Sequence, residues 1–225
     1  MTDSTTEGTP REKVIEAFLS LLAERSFERI TLSSVAEKAG VSLAGMRRDF
    51  GSTFDMIAGF IRDTDRKVLA GGDAEDAQAT MRDRLFDVLM RRFEILLPHR
   101  EAVRSLVRSA RRDPRFALGM NRLAVRSQQW MLSAAGIGSS GVIGGLRAQA
   151  AAVMFARVMR VWLDDEDPGL ARTMAELDRE LAAGARLAAL LDDLCRFAPR
   201  CRRPLRTRER RNRNAPDPRP ESMQA

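Results

Sequence analysis

Residues 31–50 read TLSSVAEKAGVSLAGMRRDF, and this stretch decides the fold of the chain. Its apolar residues recur at helical spacing on both sides of Gly40, the residue type that adopts the left-handed end of a helix at the lowest cost. Thr31 suits the N-cap of the first helix, with Ser34 as an alternative, and Ser42 suits the N-cap of the second. The pattern therefore predicts two short helices joined by a tight turn, at residues 32–39 and 43–50.

Further helices are predicted on both sides of this pair. Upstream, apolar residues share one face of a helix at 11–24, and Pro10 suits its first turn. Downstream, Ser52 or Thr53 opens another helix, whose buried face continues to Ile61. The stretch 11–61 therefore reads as a helical domain built around a helix-turn-helix.

Helical periodicity also dominates the rest of the chain, and we find no convincing strand or internal repeat. The helix at 142–163 is apolar on most sides, which implies burial in a bundle or an interface. In the turn that follows it, Asp167 is predicted as an N-cap and Pro168 as the first helical residue. The predicted fold is all-α: a disordered N-terminus (1–10), a helix-turn-helix domain (11–61), an antiparallel helix bundle (62–197) that includes a polar linker at 71–79, and a disordered Arg-rich tail (198–225).

The basic charge of the chain is concentrated in its tail. Ten of the 38 basic and three of the 31 acidic side chains lie in residues 196–225, which leaves 28 of each in the remainder. The high sequence pI of 10.7 therefore arises from the tail rather than from the folded body. A Pro-punctuated basic segment is typical of disorder, and weak attraction to phosphate is the alternative interpretation.

The sequence carries no signal of export or of catalysis. The N-terminal residues are polar, no apolar run reaches the roughly 18 residues of a membrane span, and Cys195 and Cys201 have neither disulfide nor zinc spacing. We therefore expect a reduced, cytoplasmic protein without stable membrane insertion. His99 is the sole histidine, and no residue pattern indicates a catalytic partner for it. The Asp164–Asp167 cluster does not match the spacing of a calcium-binding loop. We therefore predict that the protein has no enzymatic activity and no catalytic residue, and that it binds no metal or cofactor.

A helix-turn-helix presents its second helix to the major groove, so double-stranded DNA is the predicted partner. Arg47 and Arg48 are the strongest candidates, because adjacent helix positions diverge by about 100°, and one arginine can reach a base edge while the other binds a phosphate. A solvated basic surface is the alternative, since residues 1–70 carry ten basic and eleven acidic side chains. The predicted DNA-binding residues are Thr31, Ser33, Ser42, Leu43, Ala44, Gly45, Arg47 and Arg48.

The pattern Leu32-x-x-Val35-Ala36-x-x-Ala39-Gly40-Val41-Ser42, with Phe50 after it, resembles TetR-type repressors. These are all-α homodimers with a small N-terminal DNA-binding domain and a larger ligand-binding domain. The resemblance implies a ligand-responsive dimeric repressor, with the last two long helices forming the dimer. The chain departs from the family at Arg47, where a Tyr is usual, at Asp49, where a His is usual, and at Thr53, where a Lys is usual.

The same resemblance implies a pocket for a small apolar effector in the C-terminal bundle. Large and adaptable side chains on the predicted inward faces are the candidates, although the same residues also fit an ordinary bundle core. The predicted pocket residues are Phe86, Met90, Phe93, Met120, Trp130, Met154 and Trp162.

A second resemblance lies in the C-terminal half, mainly at Trp162-Leu163-x-Asp165-x-x-Pro168-Gly169-x-Ala171-x-Thr173. It is similar to ubiquinone-biosynthesis accessory proteins, which share the TetR fold and bind isoprenoid lipid. This implies the alternative function, an isoprenoid-lipid-binding accessory protein of quinone biosynthesis with a vestigial helix-turn-helix.

Overall fold

Helices are the main secondary structure of the described residues. The computed structural model describes the backbone of residues 9–71 and 79–197 and the side chains of residues 9–71 and 79–186. Those ranges contain no strand, so the predicted all-α class is confirmed. The helices are α1 (Pro10–Glu24), α2 (Leu32–Ala39), α3 (Leu43–Asp49), α4 (Thr53–Ala70), α5 (Met81–Leu96), α6 (Arg100–Arg112), α7 (Pro114–Ala134), α8 (Gly141–Leu163) and α9 (Ala171–Phe197), with short 3₁₀ turns at Phe27–Arg29 and Leu97–His99.

Several predicted segments fall outside the described residues. They are the disordered N-terminus up to residue 8, the linker at residues 72–78 and the Arg-rich tail at 198–225. The division between domains at 11–61 and 62–197 stays a prediction, and α4 runs across that boundary. The described residues up to Gly184 form one compact unit, and the packing described below is that of this unit.

The start of α1 lies earlier than the sequence predicts. The Thr9 hydroxyl accepts a hydrogen bond from the Glu12 backbone N–H at 3.3 Å, and the Glu12 carboxylate accepts one from the Thr9 N–H at 2.8 Å. This reciprocal capping satisfies two of the amides that a helix start leaves unpaired. Thr9 and Pro10 therefore cap and begin α1, and the prediction that they belong to a disordered segment is wrong.

One continuous apolar core runs from α1 to the start of α9. At its centre, Phe93 of α5 stacks on Phe155 of α8, with ring centroids 4.8 Å apart, and its centroid lies 5.7 Å from that of Trp162. Phe93 and Trp162 are fully buried. Both were predicted to line a pocket, and the structure places both in the packed centre of the bundle.

The connection from α8 to α9 differs from its prediction. Helix α9 begins at Ala171 rather than at Pro168, because Leu170 has a left-handed backbone with φ of 53°, which interrupts a right-handed helix. Asp167 still accepts a hydrogen bond from the Ala171 N–H at 2.9 Å. The buried Asp165 carboxylate accepts two more, from the Thr173 backbone N–H at 2.8 Å and its hydroxyl at 2.7 Å.

This turn explains the residues that carry the second resemblance. Arg100 at the start of α6 donates to the Asp165 carbonyl at 2.6 Å, and its guanidinium lies 5.0 Å from the centre of the Trp162 ring. Burial raises the pKa of Asp165, but the hydrogen bonds from Thr173 and from the Asp167 N–H lower it by more, so the pKa lies below the ordinary value. Trp162, Asp165 and Thr173 therefore have a structural role in joining α6, α8 and α9.

Helix α8 combines length with an apolar composition. It has 23 residues and is long and apolar enough to cross a membrane by length and composition alone. Arg147, Arg157 and Arg160 interrupt its apolar side chains, so no continuous apolar run in it reaches about 18 residues. One face of α8 packs in the core through Ala148, Phe155 and Val158, as the core helices of soluble proteins do.

Candidate nucleic-acid interface and internal cavity

The turn between α2 and α3 is closed by local hydrogen bonds. Thr31 and Ser34 cap α2 reciprocally, with N–H to hydroxyl distances of 3.1 and 3.2 Å. Gly40 ends α2 with φ of 67°, and the next residue's N–H donates to the Ala36 carbonyl at 3.0 Å. Ser42 caps α3 by accepting from the Gly45 N–H at 3.0 Å. Thr31 and Ser42 as N-caps and Gly40 as the left-handed end of α2 are thus confirmed.

One side of α3 is anchored and the other is exposed. Met46 and Phe50 are each 3% exposed and pack in the core beside Val35 of α2. Gly45 is half-buried, and a Cβ atom there would lie 3.2 Å from the Ser42 hydroxyl. The other predicted DNA-binding residues are exposed: Thr31, Ser33, Ser42, Leu43, Ala44, Arg47 and Arg48.

The charges of α2 and α3 divide into a paired and an unpaired group. Lys38 binds Glu24 at the end of α1, with 2.6 Å between Nζ and Oε1, and the hydrogen bond and positive charge of Lys38 lower the pKa of Glu24. Arg47 and Arg48 form no ion pair or hydrogen bond with a described residue. Two arginines on the exposed side of α3 therefore remain available to an anion, with Asp49 beside them.

Aromatic rings hold the helix-turn-helix against the following helices. Phe116 of α7 lies between Phe27 and Phe54, with centroid distances of 4.6 and 5.9 Å. The Ser105 hydroxyl of α6 donates to the Arg25 carbonyl at 3.1 Å. Gly119 allows α7 to approach α4, since a Cβ atom there would lie 2.9 Å from the Phe54 ring. The helix-turn-helix region is thus joined to α6 through Arg25 and to α7 through Phe27 and Phe54.

A cavity of about 530 Å³ lies where α4, α5, α6, α7 and α8 meet. Its apolar lining comes from all five helices and includes Phe60, Leu96, Leu106, Ala124 and Phe155. The volume is in the range of sites that bind small molecules.

Polar groups lie at one side of this cavity. Arg92 of α5 forms a buried ion pair with Asp65 of α4, and the Ser127 hydroxyl of α7 donates to the same Asp65 oxygen at 2.7 Å. Two atoms of cavity-lining side chains are buried without a hydrogen-bond partner, Arg92 Nε and Gln128 Oε1. The cavity is thus mainly apolar with a small buried polar cluster.

The predicted pocket residues are only partly brought together. Met120 lines the cavity, whereas Phe93, Met90 and Trp162 are buried in the core and Phe86 and Met154 are half-buried. Trp130 is 58% exposed, so the prediction that it faces inward is wrong. The reason is that Ser127, Gln128 and Met131 form the buried side of α7 at that level.

The sequence pattern did not reveal the polar residues on this side of the cavity. Arg92, Ser127 and Gln128 lie on its lining, and Asp65 is the ion-pair partner of Arg92 behind it. A signal was present for α7, since Ser127 and Gln128 fall at helical spacing between Ala124 and Met131. Polar residues on an apolar face mark a buried hydrogen-bonded pair or a binding site.

His99 lies in a separate hollow of about 510 Å³ beside α1 and α4. Its Nε2 is 4.0 Å from a Glu16 oxygen and its ring is edge-on to Phe60. Burial and the charge of Lys67 lower the pKa of His99 against the opposing effect of Glu16, so the ring is neutral at pH 7. Among the residues that the structure describes, no group of three or more His, Cys, Asp or Glu is placed to hold a metal ion.

Comparison with known proteins identifies the fold. No protein-family model matches the chain, and no curated protein matches it. Among solved structures, a TetR transcriptional regulator from Nitrosomonas europaea is similar with a TM-score of 0.63 and 20% identity, covering 79% of this chain and 99% of that one. The chain has the TetR fold.

Two further structures with the TetR fold are similar. A TetR transcriptional regulator from Rhodococcus sp. RHA1 has a TM-score of 0.54 and 20% identity, covering 77% of this chain and 94% of that one. A TetR-family regulator from Streptomyces coelicolor has a TM-score of 0.51 and 17% identity, covering 84% and 92%. At these identities the likeness establishes the TetR fold, and function has to be argued from the site.

Proposed function

We propose that this protein is a cytoplasmic, homodimeric transcriptional regulator that binds double-stranded DNA through α3, acts as a repressor and responds to a small effector. The observation that supports the proposal is the way α3 is held in the structure. Its buried side is fixed by Met46 and Phe50, and its outer side presents Arg47 and Arg48 without described partners. A rigidly held, exposed second helix with free arginines is what a major-groove reader requires.

Each predicted contact residue has a chemical role on DNA. One of Arg47 and Arg48 binds a guanine edge and the other a phosphate, since arginine forms paired hydrogen bonds with both. The hydroxyls of Thr31, Ser33 and Ser42 donate to phosphates. Leu43, Ala44 and Gly45 allow close approach, and the two aliphatic side chains can contact thymine methyl groups.

The exposed apolar surface of α8 supports dimer formation. Val142, Ile143 and Leu146 are 84%, 66% and 67% exposed, and Val153 further along the helix is 44% exposed. A monomer rarely leaves such a run of large apolar side chains in water, and a second copy of the chain would cover it. The two copies of α3 would then bind half-sites one helical turn, or a multiple of it, apart.

A dimerisation test follows from this surface. The Leu146→Glu variant is expected to be monomeric in sedimentation at micromolar concentration, because two charges would be buried at the symmetric contact. Leu97→Glu, at a residue that is 37% exposed in the turn before α6, is the matched control and should remain dimeric. A monomeric wild-type protein in the same experiment would contradict the proposed dimer.

The cavity supports the response to a small molecule. Ile57, Phe60 and Ile61 of α4 line it, while Phe54 in the same helix packs against α7. A ligand that shifts α4 would shift α3 with it and change the distance between the two reading helices. The DNA-bound and free states must differ in their affinity for the ligand if the switch is to work.

The central test is selection of genomic DNA fragments by the full-length protein at physiological salt with excess competitor DNA. The proposal predicts enrichment of a short inverted repeat by the wild type and its loss in Arg47→Ala/Arg48→Ala. Arg122→Ala/Arg126→Ala is the control, since it removes the same charge from exposed positions on α7. No enrichment by a folded, dimeric wild-type protein would overturn the proposal, and co-purified isoprenoid lipid would then favour the alternative function.

A further inference from the structure

One polar side chain on the cavity is buried with an unused hydrogen-bonding atom. Gln128 of α7 is 1% exposed, it lines the cavity, and its side-chain oxygen has no hydrogen-bond partner. Natural proteins keep few such atoms, because a buried acceptor that has lost water and gained no donor destabilises the fold. A glutamine at this position therefore needs an explanation other than packing.

The neighbouring polar residues show what a purely structural group does here. Ser127 and Arg92 both bind Asp65, and these contacts join α7 and α5 to α4. Gln128, one residue further along α7, makes no hydrogen bond through its oxygen. The structural hydrogen bonds of this cluster are thus made without it, and the oxygen of its carboxamide keeps an unused acceptor.

The charges around the cavity restrict what can enter. The described lining residues include Arg92, Arg111, Arg157 and Arg160 and no Asp or Glu. A cation would find no carboxylate on the lining and would be repelled by Arg111 and Arg160, whereas Arg92 and Arg157 are paired with Asp65 and Glu180. The remaining lining is mainly apolar, so the body of a ligand must be apolar too.

We propose that the Gln128 carboxamide is the hydrogen-bond partner of the effector, and that the effector is an apolar, non-cationic molecule carrying a hydroxyl or similar donor. The inference rests on the ligand-responsive regulator proposed above and gives that ligand its chemistry. A hydroxyl suits the site because it can donate to the unpaired Gln128 oxygen. Analogues that lack the donor leave the carboxamide unpaired and bind more weakly.

Three ring-matched probes test the proposal on the full-length protein without DNA: naphthol, its methyl ether, and naphthylmethylammonium. Calorimetric titration should show naphthol binding at least about tenfold more tightly than the ether, the effect of one recovered buried hydrogen bond. The ammonium probe should bind more weakly than either. Equal affinity of naphthol and ether, preference for the cation, or no binding of any probe would overturn the proposal.

Gln128→Met assigns the effect to the carboxamide, because methionine has a similar length and no hydrogen-bonding amide. The variant should lose the preference for naphthol over the ether, whereas the matched control Gln129→Met, at the next residue and off the cavity lining, should keep it. The thermal midpoint of Gln128→Met should equal or exceed that of the wild type, since an unpaired buried acceptor is removed. A midpoint several degrees lower, or a retained preference for naphthol, would show a structural glutamine and overturn the proposal.

The outcome is separable from that of the DNA experiment. Probe selectivity is measured without DNA, and the selection of an inverted repeat is measured without a probe. A protein that selects DNA through Arg47 and Arg48 but shows no preference among probes would refute the Gln128 site alone. A protein that prefers naphthol but selects no DNA would refute the regulator and leave a binding protein with this cavity.

Discussion

The helix-turn-helix and the cavity are built in opposite ways. The caps of α2 and α3 come from Thr31, Ser34 and Ser42, each bonded to a residue three positions away. The cavity is lined from five helices, and its polar cluster joins Asp65 to residues 27 and 62 positions away. The first region is specified locally and presents its chemistry outward, whereas the second depends on the whole bundle and encloses its chemistry. Substitutions should therefore have different consequences in the two regions.

The largest expected effect is in the packed centre beside the cavity. Phe93→Ala should lower the free energy of unfolding by about 3–5 kcal/mol, because it removes a fully buried ring stacked between α5 and α8. Chemical denaturation measures this loss. A cost below about 1 kcal/mol would place Phe93 in a pliable pocket wall, as the sequence predicts, rather than in the core.

Breaking the buried ion pair should cost nearly as much. Asp65→Asn leaves the Arg92 charge without its partner and should lower the free energy of unfolding by about 3–5 kcal/mol. The double variant Asp65→Leu/Arg92→Met should recover most of the loss, since both charges are removed together. If the double variant is no more stable than the single one, the pair is not the reason for the loss.

The turn before α9 gives a smaller, pH-dependent effect. Asp165→Asn should cost about 1–3 kcal/mol at pH 7, through weaker hydrogen bonds from Thr173. Because the folded pKa of Asp165 lies below its unfolded value, its contribution is complete above the unfolded pKa of about 3.9 and is lost as the pH falls through the folded pKa. Unfolding curves of the two proteins should therefore converge at low pH, and a constant difference across the pH range would contradict this assignment.

The smallest effect isolates the backbone of the helix-turn-helix. At both Gly40 and Gly145 an added Cβ atom would meet nothing within 4 Å, but only Gly40 has a positive φ, 67°. Gly40→Ala should therefore cost about 1–2 kcal/mol, and Gly145→Ala, inside α8, should stabilise by up to about 1 kcal/mol. Thermal unfolding of the two variants should shift in opposite directions. Shifts of the same sign would show that the left-handed turn is not the source of the cost.

The same contrast explains which features of the molecule could be predicted from the sequence. The caps and the left-handed Gly40 were predictable because their partners lie within one helical turn. Pro168 was misplaced because Leu170, a residue type that rarely adopts positive φ, interrupts the helix where tertiary packing buries it. Trp130 was misplaced and Gln128 was not singled out, because the inward side of α7 depends on the helices around it. The local region of the candidate site followed from pattern, and the enclosed region required the packing.

The most direct test is whether α3 gives the protein a higher affinity for its selected DNA sequence than for an unrelated one. Fluorescence anisotropy at physiological salt would compare affinity for the selected inverted repeat with affinity for a scrambled duplex, a ratio in which non-specific phosphate attraction by the Arg-rich tail largely cancels. We predict a ratio of about a thousandfold or more for the wild type. The ratio should fall towards one in Arg47→Ala/Arg48→Ala and be retained in Arg122→Ala/Arg126→Ala. An unchanged ratio in Arg47→Ala/Arg48→Ala would contradict the claim that α3 reads DNA.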